Sequence, residues 1–236
     1  MKKYALLLTL PLIPVLAAFW VVPSMQQPSL TQTRDRKKVD ITNYPVADFN
    51  APETTDSKRK SRNQKRDKSD WEVSPNSVSD STVAVDMIDL NSPAFPSKQA
   101  TAIVIGSVLK AQAHLSNDKT GVYSAFVVSV IEILKNPGKL FVGDLIEAER
   151  EGGRVRFPSG RVHLYKVSEQ DMPRVGARYV LFLAGTENES TFKIITGYEL
   201  RDGLVYPLDD LPKHLSYDKT AASNFLNELR TALANP

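Results

Sequence analysis

A mainly β domain, built as a small barrel or sandwich and carrying a C-terminal amphipathic helix, is the fold class that the sequence predicts for roughly residues 94–236. Three observations predict it. Segments rich in Ile and Val recur at short, regular spacing from Ala100 onward, and Gly, Pro and Asp turns separate them. Only the last segment, after Asp218, changes from a two-residue to a helical period. Ahead of the domain the chain predicts an N-terminal apolar helix within residues 1–23 and a disordered polar tether over residues 24–93.

The leader is read from its charge layout. Lys2 and Lys3 precede an uncharged, largely apolar run from Ala5 to Val22, and cations at that end stay cytoplasmic while the rest of the chain is exported. These 18 residues, as a helix, span about 27 Å, enough for a bilayer core, with Trp20 at the far interface. Val15-Leu16-Ala17 also offers a small-residue cleavage pattern. The protein is therefore expected to face the periplasm or exterior, anchored in the membrane through residues 5–22, or secreted if the leader is cut.

From Pro23 to Pro93 the chain is rich in Ser, Thr, Asp, Asn, Pro, Lys and Arg, with isolated apolar residues such as Leu30, Tyr44, Phe49 and Trp71. Such a composition does not offset the entropy of ordering a backbone, so disorder is expected. Within it Lys58, Arg59, Lys60, Arg62, Lys65, Arg66 and Lys68 form a basic block over residues 58–68. The block is a candidate contact for an anionic envelope polymer or lipid headgroups; otherwise it is a solvated, self-repelling spacer. The leader places it outside the cytoplasm, so nucleic acid is not an expected partner. Val83, Val85, Met87 and Ile88 suggest a short strand or docking segment.

The strands of the domain follow in order. Ala100 to Ala113 predicts a buried strand that bends or bulges at Gly106, and Val122 to Leu134 a second that pairs with it as a long hairpin. Asn136-Pro137-Gly138 and Gly143-Asp144 are turns. In Leu145 to Glu151 the residues Glu147, Glu149 and Glu151 alternate with Ile146, Ala148 and Arg150, which predicts an exposed acidic face. Gly152-Gly153 leads to Arg154–Phe157, and Pro158-Ser159-Gly160 to Arg161–Tyr165, whose exposed face is cationic. Arg178 to Ala184 and Phe192 to Tyr198 are further strands, and Asp202-Gly203 predicts a two-residue hairpin turn before Leu204-Val205-Tyr206. In the last helix, over residues 218–234, Asp218 is the expected cap; Ala222, Phe225, Leu226, Leu229 and Leu233 form its apolar stripe.

This order of elements resembles a group of exported bacterial domains of unassigned function, relatives of the OB-type barrel of netrin-like and metalloproteinase-inhibitor modules. The residues that carry the likeness are Ile103-Val104-Ile105-Gly106-Ser107-Val108, Val128 to Lys135, Gly143-Asp144, Gly152-Gly153 and Gly176 to Leu183, within Ala100 to Leu208. The resemblance implies an OB-like barrel. It does not imply inhibition, because the inhibitor modules depend on an N-terminal edge tied by disulfides and this chain has no cysteine.

The absence of cysteine also excludes thiolate metal sites and cysteine nucleophiles. His114, His163 and His214 lie far apart, without the close spacing of a metal site. Ser107 and Ser159 lie outside any nucleophile elbow, Asp209-Asp210 lacks a calcium loop, and Gly152-Gly153 has no following helix and lysine for phosphate. No catalytic residue, metal or cofactor is expected. The constellation that the strand alternation can gather is Arg154, Arg156, Arg161 and His163, an anion or partner contact, unless Glu147, Glu149 and Glu151 neutralise it across the sheet. A net charge of +3 over 236 residues is not basic enough to imply a nucleic-acid partner. The leading expectation is a non-enzymatic exported interaction domain. The alternatives are a cell-envelope hydrolase or ligand-binding enzyme, in which His163 or His214 meets a carboxylate and a nucleophile in one cleft, and binding of anionic polymer or lipid through the basic block.

Overall fold

The computed structural model describes residues 41–71, 73–75, 83–85, 89–136, 138, 140–185 and 191–235. The apolar leader and the first part of the expected tether lie outside them. Among the described residues the protein is mainly β, and its strands form two sheets.

The larger sheet contains β3 (Ala102–Leu115), β4 (Val122–Lys135), β5 (Leu145–Glu151), β8 (Arg178–Ala184), β9 (Thr191–Arg201) and β10 (Leu204–Pro207), in the order β10-β9-β5-β4-β3-β8. β3 and β4 form the expected long antiparallel hairpin, from Ile103↔Lys135 to Leu115↔Val122. Their register slips at Ile105/Gly106, where sequence predicted a bend. A Cβ on Gly106 would stand 2.5 Å from Val128 Cγ1, so the close approach of the strands depends on glycine there. β9 pairs with β8 as well, which curls the sheet back on itself. Its parallel seam with β5 runs only from Glu147↔Thr191 to Glu149↔Lys193, and the sheet is not closed into a barrel. Inside lie Val104, Val108, Phe126, Val128, Ala148, Tyr179 and Leu181, all buried.

Asp202 and Gly203 both have positive φ, +52° and +75°, the backbone of the predicted tight hairpin between β9 and β10. Helix α3 (Ala222–Ala234) covers the outer faces of β3, β8 and β9. Phe225 and Leu229 are buried there against Ile103, Val180, Phe182 and Tyr198, and Ala222, Leu226 and Leu233 pack beside them. The helix is capped at Ala221, not at Asp218. The backbone between the two is tied to β10, with Lys219 N donating to Val205 O and Val205 N to Thr220 O, so the first turn forms three residues later than its cap-like aspartate suggests. A short helix, α2 (Pro212–Leu215), precedes it.

The smaller sheet has the order β1-β6-β7-β2, from β1 (Val46–Asp48), β6 (Gly153–Arg156), β7 (Val162–Val167) and β2 (Val83–Val85). Both edge strands come from the segment expected to be a disordered tether, and each joins in parallel. Helix α1 (Ser57–Gln64) lies between them in sequence. For these described parts the expectation of disorder is corrected, and the reason is local. Mean composition conceals a few large anchors: Tyr44 and Trp71 are buried, with Tyr44 in the core of the larger sheet and Trp71 edge-on to Tyr165 at 6.1 Å. Each aromatic contributes a large buried area where it lands.

Candidate functional site

Two features concentrate charge and polarity. The first is the outer face of β5. Strand alternation sets Glu147, Glu149 and Glu151 on one side and Ile146, Ala148 and Arg150 on the other. The acidic side is not exposed as expected: α1 lies on it, and Glu149 is only 5% exposed. Arg59, Arg62 and Arg66 recur at i, i+3 and i+7, which puts them on one helical face. Arg59 meets Glu147 at 2.5 Å, Arg62 meets Glu147 at 2.8 Å, and Arg66 meets Glu151 at 3.0 Å. All three approach Glu149, at 3.5, 3.3 and 3.1 Å. Burial pushes the Glu149 carboxyl up, against the pull of the three guanidiniums. Tyr123 on β4 completes the face: Arg66 stacks 3.9 Å over its ring, and its hydroxyl donates to Asn63 Oδ1 at 2.7 Å.

α1 is eight residues, SKRKSRNQ, with no buried member. A helix this short is not stable alone. Asp56 caps it by accepting from Lys58 N at 2.9 Å, and the glutamate ladder supplies the rest. Lys58, Lys60, Lys65 and Lys68 are exposed on the outward side. The basic block is thus divided by residue type: planar guanidiniums face the carboxylates and ammonium groups face water.

His114 lies close to α1, its ring 5.4 Å from that of Tyr123. Burial, with Arg59, Arg62 and Arg66 nearby, lowers its pKa to about 4. The folded state therefore binds fewer protons here than the unfolded state between about pH 6.5 and about pH 4, and this contribution to stability is lost as pH falls through that window. Comparing urea midpoints at pH 7 and pH 4.5, His114→Leu is expected to lose less stability on acidification than the wild type.

The second feature is a cleft of about 390 Å³ whose lining includes Arg150, Asp209, Thr196, His214, Lys193 and Gln170. The first four are each about 1% exposed. Arg150 Nη2 pairs with Asp209 Oδ1, while Arg150 Nε and Nη1 and Asp209 Oδ2 have no hydrogen-bond partner. His214 Nε2 is 3.1 Å from Pro93 O and its Nδ1 is 3.3 Å from Thr196 Oγ1. A carbonyl only accepts, so Nε2 carries the proton and the neutral ring accepts from Thr196 at Nδ1. Burial lowers the His214 pKa and favours that neutral ring. His214 thus meets a hydroxyl and a carbonyl, while the carboxylate of Asp209 is taken by Arg150.

The four residues expected to form one contact do not share a face. His163 is opposite Val155 in the β6–β7 ladder and points inward with it, against Phe157 at 4.9 Å. Arg154 and Arg156 fall on the other parity. Arg154 Nε donates to Tyr44 O at 2.8 Å, and Arg156 and Arg161 are exposed. Neutralisation by the β5 glutamates does not occur either, because β5 and β6 belong to different sheets. The corner at Gly152 makes the change: its φ is +97° and a Cβ there would stand 2.6 Å from Tyr165 O. The true partners, Arg59, Arg62 and Arg66, carried a readable signal in their helical spacing behind Asp56, a cap residue. Among the described residues, no group of His, Asp and Glu side chains is arranged to hold a metal, and no helix is long and apolar enough to cross a membrane. Compared with known proteins, the chain matches no family model and no curated sequence.

Proposed function

We propose that the chain is an exported, membrane-anchored, non-enzymatic interaction domain on an OB-type barrel, with the outer face of β4 and β5 as its recognition surface. The fit of Arg59 and Arg62 on α1, with Arg66 in the turn that follows it, to the ladder Glu147, Glu149 and Glu151 carries this reading. Strand order supports the barrel type: β3-β4-β5-β9-β8 and back to β3, with β5 parallel to β9, is the Greek-key ring of a partly open OB barrel. In such barrels the second and third strands form the binding face, and here these are β4 and β5. The partner is accordingly a segment that presents arginines at helical spacing, and α1 fills that place in cis. Binding of an anionic polymer through the basic block is less favoured, because Arg59, Arg62 and Arg66 are engaged by glutamates.

The test uses the full chain carrying Arg59→Gln, Arg62→Gln and Arg66→Gln, and a synthetic peptide of residues 56–68. Calorimetric titration is expected to show the peptide binding the variant and not the wild type, more weakly as salt rises, and at least tenfold more weakly after a further Glu149→Gln. No binding by a variant that retains its far-ultraviolet dichroism would overturn the reading.

A second reading, ligand capture in the Arg150 cleft, is favoured by the unpaired Nε and Nη1 of that buried guanidinium. It predicts small polar ligands that raise the melting temperature of the wild type but not of Arg150→Met/Asp209→Leu.

A further inference from the structure

Large apolar side chains gather in water where β4 turns into β5. In the loop between β4 and β5, Phe141 is 70% exposed and Val142 67%; Leu145, at the start of β5, is 66% exposed. Ile131 is exposed beside them, at the residue where the β3–β4 register slips past β4. The turn at residues 141–144 is built, not slack. Phe141 N donates to Asp144 Oδ2 at 2.8 Å, Asp144 N to Phe141 O at 3.1 Å, and Gly143 N to Val130 O at 2.8 Å. Gly143 takes φ +94°, the left-handed conformation such a turn uses. A turn that fixes an aromatic and a valine outward leaves their burial unrealised, and contiguous exposed apolar groups mark an interaction site.

The surroundings say which kind. Across the sheet, one row of paired residues runs Leu145, Ser129, Ser107, Arg178, ending at an exposed cation about 14 Å away at the usual strand spacing. The neighbouring acids are engaged: Asp144 holds the loop and Glu132 pairs with Arg230 at 2.9 Å. The apolar group is four side chains, far fewer than the roughly 20–30 residues a side of a stable protein complex. Insertion of one or two side chains into lipid suffices, however, when a covalent anchor already holds the domain at a bilayer.

We infer that Phe141, Val142 and Leu145 dip into the bilayer that holds the leader, so that the domain lies on the membrane with this loop down; this rests on the anchored reading given above. The test places the full chain, with Trp20→Phe and Phe141→Trp, in vesicles of phosphatidylcholine and phosphatidylglycerol with or without brominated acyl chains. Trp71, buried away from water, is the internal reference. At least twofold quenching of the introduced indole is expected, abolished by adding Val142→Ser and Leu145→Ser. A chain that resists alkaline extraction but shows no quenching overturns the loop contact and leaves the anchor standing. Quenching in a chain that alkali releases supports the loop contact and overturns the anchor, and release without quenching overturns both. Cross-linking between copies through position 141, without quenching, assigns the loop to a second copy and overturns the inference.

Discussion

Asp209→Leu is expected to lower stability by about 3–5 kcal/mol, read as a fall in the urea midpoint, because it leaves the Arg150 guanidinium charged and unpaired in the protein interior. Arg150 and Asp209 are each 1% exposed, and among the described residues the charged group of each makes its hydrogen bond to the other. Removing the second partner should reverse most of the loss. Arg150→Met with Asp209→Leu replaces a pair that was costly to desolvate with apolar groups of similar reach, and such exchanges are often neutral or stabilising by about 1–4 kcal/mol. A single variant that costs under about 1 kcal/mol, or a double variant as unstable as the single, would show that the two charges do not depend on each other.

Glu149→Lys is expected to release α1 from the sheet. The carboxylate it removes is approached by three guanidiniums within 3.5 Å, and the ammonium group it adds would stand among them. Uncompensated charge at so buried a position costs about 3–5 kcal/mol. The helix has no apolar residue to hold it otherwise, so the loss should concentrate there: amide exchange over residues 57–71 accelerates while the β3–β4 hairpin stays protected. Salt should mimic the substitution weakly, since these groups are only partly shielded from ions. Unchanged exchange in α1 would mean that its arginines do not hold it.

Much of the larger sheet was legible from sequence. Two-residue alternation and turn chemistry located β3, β4, β5, β8 and β10, because each strand meets a core on one face and solvent or a covering helix on the other. The stripe of Phe225 and Leu229 located α3 for the same reason, although its start was misplaced at Asp218. The acidic alternation of Glu147, Glu149 and Glu151 was legible too, but its partner was not. Sequence proximity pointed to Arg154, Arg156 and Arg161, whereas the strand leaves the sheet at Gly152 and the arginines that arrive come from 80 to 90 positions earlier. The cleft was invisible, since Arg150, Thr196, Asp209 and His214 converge only through the β5–β9 seam and the turn after β10.

The sequence by itself determined the mainly β class, the hairpin of β3 and β4, the terminal helix and the absence of any cysteine chemistry. These follow from local period and composition, which each segment carries within itself. Only the tertiary structure decided that a stretch poor in apolar residues orders as α1, β1 and β2, and that a basic block divides into inward arginines and outward lysines. The physical reason is that ion pairs and lone aromatic anchors gain their energy from a distant complement, and no average over a window contains the residue that meets them.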